Sequence, residues 1–537
     1  MIWSLTLWAG IAVAADMKTT ADWSDALTLT DRIGWSSSPR DIGALLEEST
    51  DPAGLFAQSY NDANLHHAKV LDRPPIYAVE AELDGNFLFI DMAVAYTNRS
   101  KAPIRSVVFR VLGNGRGDPV DLTTIGSVWA DGVAVPWALR GTLLEVGLSS
   151  PLRPGQRTRI HMEIAQHVPI YNPDPDRWPK QITALGTGAF GRAEGDYALG
   201  FWMPQITNLR PNGVWDERTL PMSGEHTWFE PAQFHVVLNV PSRFAVATTG
   251  VEVNRATAAN RTRIVAVASG ARDFAIHLAG GYTIAQDTVE GIRIRAFYPQ
   301  DRPEIGDRLL RWGGRAVTLF TKWYGPLPMR ELDIVDARVR IALGMEYDGM
   351  VTVDARTERG DLRDPAGLEW TVVHEVAHQW WYAEVGNDSQ AEPWVDEGLT
   401  NASTAMYWEA VHGRDALEHR WQRDVIEPYA IMLDAGIADV PANLNAEAYL
   451  LEQYASVIYG RSALFLDRVR TELGEEQFAA ALRAYHDDKH CRFATADDLM
   501  RHLKDKATDP GQLDFLYLRW IAEAHAAEDV IPSALQP

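Results

Sequence analysis

The chain has one cysteine, Cys491, among 537 residues. No intrachain disulfide can form, and a zinc site built on thiolates is excluded. The neighbours of that thiol, Lys489-His490 and Arg492, do not look like a nucleophile's setting, and it reads as incidental. Basic runs are missing as well. Lys and Arg number 50 against 73 Asp and Glu, a net charge of −23, with no lysine-rich tail. That balance speaks against nucleic acid as a partner. Solubility is the first explanation of the acidity, although it would also tolerate cationic ligands such as peptide amines. No apolar run is long enough to span a bilayer comfortably. No repeat of fixed period and no low-complexity tract appears.

What is present starts with an uncharged apolar stretch, residues 1–15. Ala12-Val13-Ala14 resembles a small-x-small cleavage site, although a basic start is missing. Read as a signal peptide, the stretch implies a periplasmic or secreted protein; without a signal the protein is cytoplasmic. Length predicts about three domains, and 46% hydrophobic residues suffice for more than one core. Residues 16–74 read as an N-terminal extension with an amphipathic stretch from Ile42 to Phe56. Residues 75–285 read as an all-β domain, a saddle or sandwich of antiparallel strands. Alternation is clear in Phe234–Val240, Ile160–Ile164 and Phe274–Leu278, between turn-rich breaks at 113–119 and 171–176. After Gly280-Gly281 the pattern becomes mixed. A strand at Ile292–Ala296 precedes a helix over Glu304–Tyr324, stopped by Gly325-Pro326. Strand-like segments follow at Leu332–Val335 and Val339–Leu343. Beyond Leu417 the chain reads as helical: Tyr454–Arg470, Glu475–His486, Ala496–Lys506 and Leu513–Ala527.

The most informative segment is His374-Glu375-Val376-Ala377-His378, followed by Glu397 with eighteen residues in between. A helix brings residues four apart onto one face, with β-carbons roughly 5–6 Å apart. Two imidazoles at that spacing can hold one zinc ion, with a distant carboxylate as third ligand and the fourth position left to water. Glu375 is placed to take a proton from that water. The spacing of Asp364-Pro365 and Gly386 predicts a helix from Pro365 to Val385. A second helix is predicted from Pro393 to about Gly413. Asp388, Glu392, Asp396 and Glu397 all compete for the third-ligand role. Adjacent helical residues point about 100° apart, so Asp396 and Glu397 face different ways.

Together these residues resemble the membrane-alanyl aminopeptidase family, zinc exopeptidases of the gluzincin type that include leukotriene hydrolase. The resemblance covers roughly residues 75–530 and rests on His374, Glu375, His378, Glu397, Trp380 and Trp394–Gly398. The family's spacer selects Glu397 as the third ligand; the thermolysin family uses a slightly longer one. The implied fold is multidomain α+β: the β saddle, a thermolysin-like catalytic domain over 286–460, and a helical C-terminal part over 461–537. One Zn2+ per chain is implied. The family's Gly-x-Met-Glu-Asn segment is matched by Gly344, Met345 and Glu346, with Leu343 and Tyr347 departing from it. The resemblance makes these substrate-binding, with Glu346 receiving the free amino group of a peptide. Tyr459, some sixty residues after Glu397, matches the tyrosine that donates to the reaction's oxyanion. Arg461 is a candidate for electrostatic support. The family's Ala-Arg-x-x-Phe-Pro-Cys segment has no match; Phe201–Gln205 stands about where it would fall. The large helical domain that encloses many members' sites is also short or absent, which implies a more open cleft. The expected function is that of an aminopeptidase on peptides with a free N-terminus. A thermolysin-type zinc endopeptidase, a non-catalytic peptide-binding scaffold and an epoxide-type bifunctional hydrolase stay as alternatives. Oligomeric state is not readable.

Overall fold

A computed structural model describes residues 45–46, 54–61, 71–114, 122–169, 189–193, 195–220, 224, 228–337, 343–355 and 365–531. The apolar stretch 1–15, most of the extension 16–74, the turn-rich segment 171–176, Asp364 and residues 339–342 lie outside them. Two compact units emerge. Of the described residues, one comprises those up to Thr219 and Phe229–Tyr282; the other comprises Leu220, Gly224, Trp228, Thr283–Ala337 and those from Leu343 onward.

The first unit is built on an eight-stranded sheet. At its centre Ala232–Pro241, Ile76–Asp84, Phe87–Thr97 and Arg157–His167 lie side by side. Side-chain alternation decides what each strand buries. Tyr77, Val79, Ala81 and Leu83 enter the main core, where Tyr77 stacks on Phe234 at 4.9 Å. Ile76 and Ala78 point the other way, onto Leu46 and Phe56. Beyond that cover the same face is polar, and Glu80, Glu82 and Asp84 are exposed. One pairing departs from the antiparallel expectation: Ile76–Asp84 runs parallel to Ala232–Pro241. Periodicity reports which face a residue takes but not strand direction, and the long intervening chain permits the crossover.

The second unit holds a five-stranded sheet in the order Tyr282–Val289, Ile292–Pro299, Glu331–Asp336, Met350–Val353, Gly344–Tyr347. The middle three strands are parallel, and Gly344–Tyr347 is an antiparallel edge. The crossover helix Pro303–Tyr324 buries Ile305, Leu309, Trp312, Ala316, Phe320 and Tyr324, spaced at helical intervals, and ends at Gly325 with φ 109°. Helices dominate the remainder, giving the expected multidomain α+β class.

Three helical predictions need correction. The motif helix runs only from Pro365 to Ala377. Past it, Gln379 and Trp380 donate to Val376 and Ala377 carbonyls, tightening the last turn, and Tyr382 takes φ 137°. The chain thus turns at a non-glycine residue, well before the Gly386 signal, and Val385–Asn387 then pairs in parallel with Arg492–Ala494. The expected helix Tyr454–Arg470 is two pieces: a π-helical segment Tyr454–Arg461 and an α-helix Ser462–Leu473. π-Turns often mark functional sites. The last predicted helix also divides, into Pro510–Tyr517 and a π-helical Leu518–Ala522.

Candidate active site

Four elements of the second unit meet at one place: the motif helix, the helix Pro393–His412, the edge strand Gly344–Tyr347 and the π-helical segment. His374 lies in the last turn of the motif helix. His378 lies one residue beyond its end, its N–H still bonded to the His374 carbonyl at 3.2 Å. Glu397 occupies the second turn of the facing helix.

These three side chains converge. His374 Nε2 and His378 Nε2 are 3.2 Å apart, and Glu397 Oε2 lies 3.3 Å from the first and 3.6 Å from the second. A tetrahedral ion with bonds of 2.0–2.1 Å separates its ligands by about 3.3–3.4 Å, so the three edges suit zinc. The carboxylate is buried, and its Oε2 has no hydrogen-bond partner among the described residues. A buried, unsatisfied oxygen facing two imidazole nitrogens is costly unless a cation sits among them. Burial alone would raise the Glu397 pKa, but the two imidazoles outweigh it and hold it at about 2, so an anionic ligand is available at any working pH.

Each imidazole is oriented from its far side, by residues to which the sequence reading gave no such role. His378 Nδ1 lies 3.0 Å from the Trp381 carbonyl, 3.1 Å from Thr400 Oγ1 and 3.2 Å from Asp396 Oδ1. His374 Nδ1 lies 3.0 Å from Asn401 Oδ1. Such partners fix the ring tautomer and the aim of the free nitrogen. Asp396, weighed earlier as a competing ligand, therefore stands behind a ligand. Asp396, Thr400 and Asn401 share the helix of Glu397, and polar residues one turn apart on a helix with no polar face were the available signal.

Glu375 and Glu346 sit beside His378: each offers an atom to a cluster whose members lie within 4.8 Å of one another. Both carboxylates are about 5% exposed. Burial pushes Glu346 up to about 7, and burial, then the charge of Glu346, pushes Glu375 well above the usual range. A neighbouring cation would reverse both shifts. Gly344 is needed for this approach, since a Cβ there would lie 2.1 Å from Glu375 Oε1. Gly344 and Glu346 share the strand face towards the site. Met345, buried, leaves by the other face, so its side chain is not brought to the ligands. Gln379 sets the strand's position: its Oε1 accepts from Gly349 N at 2.8 Å and its Nε2 donates to the Tyr347 carbonyl at 3.1 Å.

The Tyr459 hydroxyl donates to Glu397 Oε1, and its ring centroid is 6.1 Å from that of His374. Arg461 does not face this cluster. It is 1% exposed, paired with Asp439 at 2.7 Å and donating to the Val440 carbonyl at 2.6 Å. Its charge is neutralised there, and it anchors the π-helical segment.

Residues 314–520 match the Peptidase family M1 domain. The chain is similar to Aminopeptidase M1-B of Oryza sativa subsp. japonica, 25% identical over 308 residues, covering 53% of this chain and 34% of that protein. It is similar to Aminopeptidase N of Rattus norvegicus, 25% identical over 240 residues, covering 41% and 24%. The chain thus spans about a third or less of the length of these curated relatives. In fold it is similar to an M1 zinc metallopeptidase from Deinococcus radiodurans, with TM-score 0.58 and 18% identity over 83% of this chain and 93% of that one. It is likewise similar to a mutant of an M1 zinc metallopeptidase from that organism bound to a Tyr-Ser-Ala substrate, with TM-score 0.60 and 18% identity over 84% and 95%.

Proposed function

Taking the match of residues 314–520 to the Peptidase family M1 domain as premise, we propose that the chain is a zinc-dependent aminopeptidase acting on peptides with a free N-terminus. The observation that carries this reading is the triad of His374, His378 and Glu397 at zinc-ligand separations, with Glu375 and Glu346 buried beside it. When bound, zinc supplies Lewis-acid chemistry, lowering the pKa of water to about 7 and polarising a carbonyl.

The protein's own groups do the remaining work. Glu375 takes a proton from the attacking water and hands it to the leaving amine. Tyr459 donates to the developing oxyanion, a contact of the kind that contributes about 3–4 kcal/mol in other hydrolases. Glu346 receives the substrate ammonium through a charge-assisted hydrogen bond in a water-poor setting, which fixes cleavage one residue from the end. A peptide would lie along the outer side of the edge strand Gly344–Tyr347. The aminopeptidase names of the curated relatives support the same choice.

The test compares a fluorogenic aminoacyl substrate with its N-acetylated twin, with and without a chelator and added zinc. Chelation should abolish cleavage and zinc restore it, and acetylation should slow it on the order of 100-fold. Equal rates for both substrates would convert the reading to an endopeptidase. No cleavage of either by protein holding one zinc would leave a peptide-binding scaffold.

A further inference from the structure

We propose that Asn401 is a positioning residue that sets, through one side-chain amide, both the tautomer of His374 and the seat of Tyr459. The inference rests on the aminopeptidase reading and adds a residue to it. Asn401 is 8% exposed. Its Nδ2 donates to the Tyr459 carbonyl at 2.9 Å, and its Oδ1 lies 3.0 Å from His374 Nδ1.

The chemistry of the two partners orients the amide. A backbone carbonyl only accepts, so the NH2 end must face Tyr459. The carbonyl end then faces His374, whose Nδ1 must carry the proton. That leaves the lone pair on Nε2, the nitrogen aimed at Glu397 and His378. The same side chain thus joins a metal ligand to the backbone of the residue that donates to the oxyanion. No other residue type repeats both contacts at that reach: aspartate lacks the donor, and serine is too short.

Asn401→Asp and Asn401→Ala separate the two contacts. Aspartate keeps an acceptor for His374 but sets a carboxylate against the Tyr459 carbonyl. Zinc affinity, read by chelator competition, should stay within about threefold, while kcat falls about 10–100-fold and KM changes much less. Alanine loses both contacts, and its zinc affinity should fall about 10–100-fold as well. In a Tyr459→Phe background, Asn401→Asp should cost less than about threefold more in kcat. The same kcat loss in both backgrounds, or zinc affinity unchanged in Asn401→Ala, overturns the proposal. Should the alanine variant not fold, the near-isosteric aspartate variant still decides it. Should wild type cleave no N-terminal substrate, the aminopeptidase reading fails by itself. Chelator competition then decides the assignment of Asn401, because it needs no turnover.

Discussion

Two helices of the second unit meet their surroundings in opposite ways. Pro303–Tyr324 buries one stripe and leaves Asp307, Arg311, Arg315, Thr318 and Lys322 in solvent. Pro393–His412 is buried without a break from Pro393 to Trp408, although it carries Asp396, Glu397, Thr400, Asn401, Ser403 and Thr404. Its polar groups are tolerated because they have partners. Ser403 Oγ accepts from Tyr324 at 3.0 Å and from Trp381 Nε1 at 2.8 Å. Thr404 bonds back to the Thr400 carbonyl at 2.8 Å, and the others face the imidazoles. The first helix is held by apolar area along one stripe; the second adds to its apolar area a polar network, part of which surrounds the candidate metal ligands.

That contrast can be broken, most severely at Glu397. Glu397→Ala should retain no stoichiometric zinc and lose roughly a thousandfold or more in turnover. Metal analysis finding zinc in full would show that the network does not serve the ion. Next comes pH. Glu346 titrates near 7 when folded against an ordinary 4.5. The contribution of Glu346 to the stability of metal-free protein should therefore be full below about pH 4.5 and be lost as pH rises through 7, by up to about 3 kcal/mol. Denaturant melts of chelated Glu346→Gln should lose that slope; a slope equal to wild type would deny the burial cost. Asp396→Asn should weaken zinc binding about 10–100-fold. It should leave the metal-free protein no less stable, because burial already penalises that carboxylate. On the amphipathic helix, Gly313→Ala would place a Cβ 2.3 Å from Ile334 Cδ1. It should lower stability by about 1 kcal/mol without touching zinc affinity. Asp307→Ala, on the wet face, should change neither, staying within about 0.5 kcal/mol.

The same contrast explains what could be read in advance. Pro303–Tyr324 was legible almost to the residue, because apolar spacing and a glycine stop encode it locally. His374, Glu375, His378 and Glu397 were legible as a set, because zinc chemistry demands those types at that spacing, and the fold brings them together. Asn401, Thr400 and Gln379 were not, since a buried polar side chain is defined by partners far away in the chain. The early end of the motif helix was hidden for a related reason. Tyr382 adopts a backbone angle that sequence rules reserve for glycine, and its N–H donates to the Val385 carbonyl at 3.0 Å across the bend. Met345 was named with its neighbours from a motif, and strand alternation turns its side chain away.

The short parallel pairing of Val385–Asn387 with Arg492–Ala494 has a consequence for biosynthesis. The bend that aims the Trp381 carbonyl at His378 leads directly into the first of these strands. While a growing polypeptide has not yet emerged from the ribosome as far as Ala494, that bend lacks its distant clasp. Closing so long a loop comes late in folding. The seat of His378 is thus completed only when that distant strand docks.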